Sequence, residues 1–349
     1  MSVKHPAPAI EIVYDAPDGR LNEDAWLLMW AGPLGERVVF AAIDGATTRL
    51  TPPPLQQHLD ALPVRLTPAA FSARVLRDAM ARQVAAGTYN DLRSLILEGN
   101  AALRRELTEI FGDLTLEGMD FPDEVYDSLA HDPRLVRLGL PASVVTVAEF
   151  DPAEREIRWA HAGDTALLVA YDDGRIEMPA SPESVQIDSE LKRITQALRE
   201  VHPAMTIGEI VQRPEIKQRN LHSALYHNYV DEHSLPQPSQ GVGVVDGLPE
   251  LRYFIQTGSV DLNGVSFVAV VSDGLEWPAN ADEVFADSLE DAAALCEGRR
   301  THMVTQINRL GLQGYLRSLR EAEALDSEHE QYPRFKTHDD ATGVLLRFD

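Results

Sequence analysis

Cysteine is almost absent, with Cys296 alone among 349 residues. A single thiol excludes an internal disulfide framework and fits a reducing compartment, so a cytoplasmic protein with a structural thiol is expected. Long apolar runs are lacking too. VVFAAI and FVAVV fall far short of the ~20 residues that span a bilayer. The opening MSVKHPAPAIEIVYDAPDG has no apolar core of signal-peptide length and carries proline and acid early. Positive charge is scarce as well: 31 Lys and Arg against 55 Asp and Glu, a formal charge of −24. Such a surface repels nucleic-acid backbones and anionic lipid, which argues against both as partners.

What remains is ordinary globular composition, 44% hydrophobic and 25% charged, with no repeat and no low-complexity tract. Strand signals come in blocks separated by helical material. The first block is 24–30 and 37–43, followed by TPPPLQQ (51–57), a proline-rich connector expected to be neither helix nor central strand. Thr67 and Pro68 start a helix that Gly87 ends, and 91–111 places Leu92, Leu95, Ile96, Leu103, Leu107 and Ile110 on one stripe. A second block, 143–150, 157–163, 165–171 and 175–178, reads as an antiparallel meander. Residues 181–235 are mixed and mostly helical. Strands are expected at 241–245, 251–257 and 265–271, helices at 282–296 and 300–325, and a closing strand at 341–348. The arrangement suggests an α+β fold, sheet on sheet with helices outside, and one domain over 1–349 elaborated by helical segments near 51–140 and 181–240. Trp26, Trp30, Trp159 and Trp277 lie in or beside strands and are expected in the core.

Two apolar runs end in the same pair, Asp44-Gly45 and Asp273-Gly274. Asp-Gly is a favoured hairpin turn. Neither pair, however, is followed by a resumed alternating strand. A continuous apolar run implies a strand buried on both faces, so the carboxylate at its end is only partly solvated. Carboxylates placed together there repel unless protonated or bridged by a cation, and hard divalent ions take such oxygen ligands. Glu23 and Asp24 before a strand, Asp164 between two strands, and Asp339 and Asp340 before the last strand extend the pattern. Each alone reads more simply as a solvated turn acid; their order along the chain is what points elsewhere.

In order, NED, AAIDGAT, HAGDTALLV, VVSDGL and DDATGVLL resemble the motif series of the type 2C metal-dependent serine/threonine protein phosphatase family, bacterial type, over about 20–349. The resemblance implies an αββα four-layer sandwich of two mainly antiparallel sheets. It implies two or three Mn2+ or Mg2+ ions, with Asp44 bridging two of them, the Gly45 carbonyl on one, and Asp273 and Asp339 on the other. Glu23 and Asp24 would contact metal-held water, and Asp164 would help a third site. The implied reaction is hydrolysis of phosphoserine or phosphothreonine in proteins, opposing a serine/threonine kinase, by in-line attack of a water between the metals.

Departures accompany the matches. The arginine usual four residues before Glu23 is Gly19 here, with Arg20 one place closer; Arg20 is the candidate for substrate phosphate. DGATT lacks the usual histidine. His161 reads more simply as structural than catalytic, and His338 as a neighbour of Asp339. Asp340 stands where Asn is commoner and is expected to orient its neighbours. His227 and His233 are badly spaced for zinc. The other readings are a catalytically silent regulatory or binding module, and a small-molecule phosphatase on the same scaffold.

Overall fold

The structure, a computed structural model, describes residues 8–17, 19–46, 50–180, 185–216, 222–231, 233–286, 289–334 and 336–348. Strands are β1 (Ala9–Asp15), β2 (Ala25–Ala31), β3 (Arg37–Ala46), β4 (Ala142–Asp151), β5 (Glu156–Ala162), β6 (Ala166–Tyr171), β7 (Ile176–Glu177), β8 (Gln256–Asp261), β9 (Val265–Val271) and β10 (Ala341–Arg347). Helices are α1 (Pro53–Ala61), α2 (Pro68–Ala86), α3 (Leu92–Phe111), α4 (Asp123–Leu129), α5 (Val185–Val201), α6 (Ile207–Ile210), α7 (Ala281–Val284) and α8 (Leu289–Leu325).

Two five-stranded antiparallel sheets form, one in the order β1-β10-β9-β6-β7 and the other β2-β3-β4-β5-β8. Side-chain alternation explains how they stack. In β3, Val39, Ala41 and Ile43 join Leu76, Met80, Leu95 and Leu103 of α2 and α3. Phe40 and Ala42 instead meet Val268, Val270 and Val344 of the facing sheet. In β9, Phe267, Ala269 and Val271 pack on Ile307, Leu312, Tyr315 and Leu319 of α8. The order is therefore helix, sheet, sheet, helix, the expected αββα sandwich. Continuous apolar runs arise because both faces of the central strands are covered. Each fully buried Val, Leu, Ile or Phe stabilises it by about 1.5–3 kcal/mol.

Thr67 caps α2 by accepting from Ala70 N, and Gly87 closes it. Asp91 and Ser94 form a capping box at α3. Several local expectations fail. The triple proline does enter a helix, because Pro52 is the N-cap of α1 and Pro53 and Pro54 occupy its first turn, where no N–H is required. The expected meander is split: β5 belongs to one sheet and β6 to the other. Segment 241–245 makes only isolated bridges, Ser143 to Val245 and His227 to Val242. Residues 249–253 form a 3-10 turn, so that strand begins later, at Gln256. The last two helices are one element, α8, broken at Gly311. Trp30 is 59% exposed rather than core, since β2 is an edge strand.

Candidate metal centre

Strand register brings the predicted acids to one end of the sandwich. Ala25 lies opposite Ile43, so Asp24 and Asp44 end adjacent strands. Val271 lies opposite both Ala166 and Gly343, which sets Asp164, Asp273 and Asp340 at the corresponding end of the other sheet. Asp164 owes its place to the crossover between sheets. His161 secures that crossover: it is fully buried, its Nε2 donates to the Gly163 carbonyl, and its Nδ1 accepts from Thr146 Oγ1. Burial pushes its pKa down to about 4, so it is neutral and structural.

The glycines after Asp44 and Asp273 make room for the neighbouring chain. A Cβ on Gly45 would lie 2.5 Å from the Glu23 carbonyl oxygen and 3.0 Å from the Ala69 carbonyl carbon. One on Gly274 would lie 1.8 Å from the Asp340 carbonyl oxygen. Absent side chains thus allow the strands carrying Glu23 and Asp340 to close on those carrying Asp44 and Asp273.

The electrostatics show what that closure does. Asp24 is 2% exposed, and among the described residues its Oδ2 has no partner and the Ser272 hydroxyl alone serves its carboxyl. Burial, then repulsion from Asp273, Asp340 and Asp339, pushes its pKa up to about 8 despite Ser272. Asp44 is raised well above the carboxylate range by burial, then by Asp24, Asp273 and Asp164. Asp273 and Asp44 perturb one another across the cluster, and carboxylates so placed favour keeping a proton unless a cation intervenes. Solvent reaches Asp273, and its rise, from surrounding protein mass and then Asp339, is smaller, to about 6. Burial raises Asp340 also. Its Oδ2 accepts from Glu23 N at 2.7 Å, the orienting part expected of it.

Two cations that local patterns did not single out meet this cluster. Lys336 Nζ lies 2.7 Å from Asp339 Oδ1. Burial alone would lower its pKa, but Asp339 and Asp273 outweigh that and raise it. Arg320 donates to the Asp339 carbonyl at 2.6 Å and to Asp15 Oδ2 at 3.0 Å, fixing the approach to β10. The signal available for Lys336 was its place three residues before Asp339 in KTHDD. His338 Nδ1 sits 2.9 Å from Glu323 Oε2 beside the same turn. Arg20 is exposed, and its guanidinium has no partner among the described residues. Thr47 and Thr48 of DGATT lie outside the described residues.

These residues fit hard divalent cations. The orphaned Asp24 oxygen and the mutual repulsion of Asp24, Asp44 and Asp273 mark a deficit of positive charge that Lys336 alone does not meet. Among the described residues no three His, Cys, Asp or Glu side chains already close as a cage. Magnesium-type sites use one or two carboxylates, carbonyls and several waters, so an open mouth suits them.

No family model matches the chain, and no curated protein matches it. Among solved structures it is similar to serine/threonine phosphatase Stp1 from Staphylococcus aureus, at 14% identity over 98% of this chain and 95% of that one, TM-score 0.48. It is similar also to the Mycobacterium tuberculosis serine/threonine phosphatase PstP/Ppp, at 13% identity over 98% and 99%, TM-score 0.44. A third is RsbX, solved in complex with magnesium, at 9% identity over 99% and 98%, TM-score 0.43. At such identity and overlap these alignments say nothing of this chain's substrate.

Proposed function

We propose that the chain is a single-domain, metal-dependent phosphomonoester hydrolase acting on phosphoserine and phosphothreonine in proteins. The observation that carries this reading is the convergence of Asp24, Asp44, Asp164, Asp273, Asp339 and Asp340 from separate segments. A cluster that holds protons at neutral pH is one that hard cations can take over. Asp44, Asp273 and Asp339 are assigned as the direct ligands, with the Gly45 carbonyl, and Glu23, Asp24 and Asp164 as holders of water or a third ion. Mn2+ or Mg2+ bound there would supply Lewis acidity toward the phosphoryl oxygens and activate the attacking water. The chain's own residues do the rest. Asp340 holds the Glu23 backbone, Arg320 holds the Asp339 backbone, and Arg20 is free to grip the phosphate. The order of acidic motifs supports the protein substrate, since it resembles that of type 2C phosphatases.

Lys336 favours a second reading, a catalytically silent module, because it already sits on one assigned ligand. A manganese titration against an aryl phosphate and a phosphopeptide panel separates the two. Wild type is expected to turn over with metal and stop with chelator. Asp44→Asn is expected to lose about a thousandfold, several kcal/mol at 1.36 kcal/mol per decade. A folded wild type that stays inert across metals and substrates establishes the silent module instead.

A further inference from the structure

β2 is an edge strand of its sheet, paired with β3 on one side only. No backbone hydrogen bond reaches Ala25–Trp30 from the other side among the described residues. A groove of about 350 Å³ follows this open edge, lined by Ala25–Leu28, Tyr14, Arg74, Arg77 and Ala81. Edge strands are usually covered, bulged or blocked by charge pointing at them. Here the edge is uncovered beside two arginines, in a protein whose net charge is −24. Arg74 has no partner among the described residues, and Arg77 meets only its chain neighbour Asp78 at the surface.

The groove begins at the acid cluster. Asp24 directly precedes β2, and α2 leaves the same end, where Ala69 packs against Gly45 and Gly45 against Glu23. From Ala69, Arg74 is about 7.5 Å and Arg77 about 12 Å along the helix at 1.5 Å per residue. At about 3.3 Å per residue, those distances fall nearest the second and fourth residues of an extended chain. Alternate residues of a strand share a face, so both positions would point the same way.

We propose that this edge is the docking groove for an extended acidic phosphopeptide, added as a strand beside β2. Its phosphoresidue lies at the Asp24 end, and acidic side chains two and four residues away meet Arg74 and Arg77. Main-chain hydrogen bonds to β2 give affinity, and the two arginines select sequence. The inference rests on the phosphatase reading for the phosphoresidue, but its test is read by binding.

Fluorescence anisotropy would be measured with labelled phosphoserine peptides carrying Glu at the second and fourth positions on either flank, or Ala there. One acidic register is expected to bind at least about fivefold more tightly than the Ala peptide, within the range of exposed charge pairs. Arg74→Ala with Arg77→Ala is expected to erase that preference, and the Lys pair to restore most of it. N-methylation of alternate backbone amides is expected to weaken binding in one frame only. Melting curves confirm that each variant is folded. Equal binding of acidic and Ala peptides, or a preference that survives the double variant, overturns the proposal. Arginine-dependent binding without any hydrolysis keeps the groove and removes the phosphatase reading instead.

Discussion

Two equally buried carboxylates of this molecule, Glu149 and Asp24, balance their charge in opposite ways. On the helix-covered sheet, Glu149 is 2% exposed, yet Arg37 lies 3.1 Å from it, Arg158 lies 2.6 Å from it, and the Tyr89 hydroxyl donates to it. Everything that side chain needs is supplied by the fold. At the acid end, Asp24 is equally buried and has an oxygen without a hydrogen-bond partner among the described residues, and several further aspartates stand around it, one of them, Asp339, paired with Lys336. A carboxylate with a complete set of partners holds a structure together; one left short waits for something from outside.

Three experiments would break or sharpen that contrast. The largest effect is expected at Glu149. Arg37→Ala combined with Arg158→Ala strands a buried charge and should lower stability by about 3 kcal/mol in urea unfolding. Adding Glu149→Leu should recover much of it, and an unchanged midpoint in the double variant would show the ion pairs to be ornamental. Next comes the acid end. Because Asp24 titrates near 8 in the fold and near the usual carboxylate range when unfolded, the folded state keeps a proton that the unfolded state has lost. Stability without metal should therefore fall as pH rises from about 4 to about 8, and Mn2+ should remove much of the decline. Asp24→Asn should make the decline shallower, the rest being carried by Asp44 and Asp273; a flat profile in the metal-free wild type would sink the idea. The smallest effect is expected from Lys336→Met, which frees Asp339 and should tighten Mn2+ binding severalfold by calorimetry, about 1 kcal/mol for a half-exposed pair. Weaker binding would mean that Lys336 holds Asp339 in place.

The acid end was legible because its signals are local. Asp44-Gly45 and Asp273-Gly274 each end an apolar run, and a run buried on both faces announces itself in a few residues. The layer order followed for the same reason. Strand β1 escapes the sequence reading because AIEIVYD is half-buried, interrupted by acid and preceded by prolines, so it forms no continuous apolar run. The crossover at Asp164 was mistaken for a hairpin connection because a chain changing sheets and one turning back use the same Gly-Asp chemistry. The triple proline misled because its position relative to the helix start, not its presence, decides its effect. Lys336, Arg320 and the Glu149 cluster rest on contacts between distant segments, which no periodicity records.

Strand β10 lies between β1 and β9 in its sheet. A ribosome must therefore deliver residues 341–347 before β1 can join the rest of that sheet, and residue 339 before the acid cluster is complete. Until then the chain has two separate edges awaiting one insert. Pairing over such sequence separations is slow, so nascent chains of this protein would spend their vulnerable time with β1 and β9 exposed, where chaperone demand should concentrate.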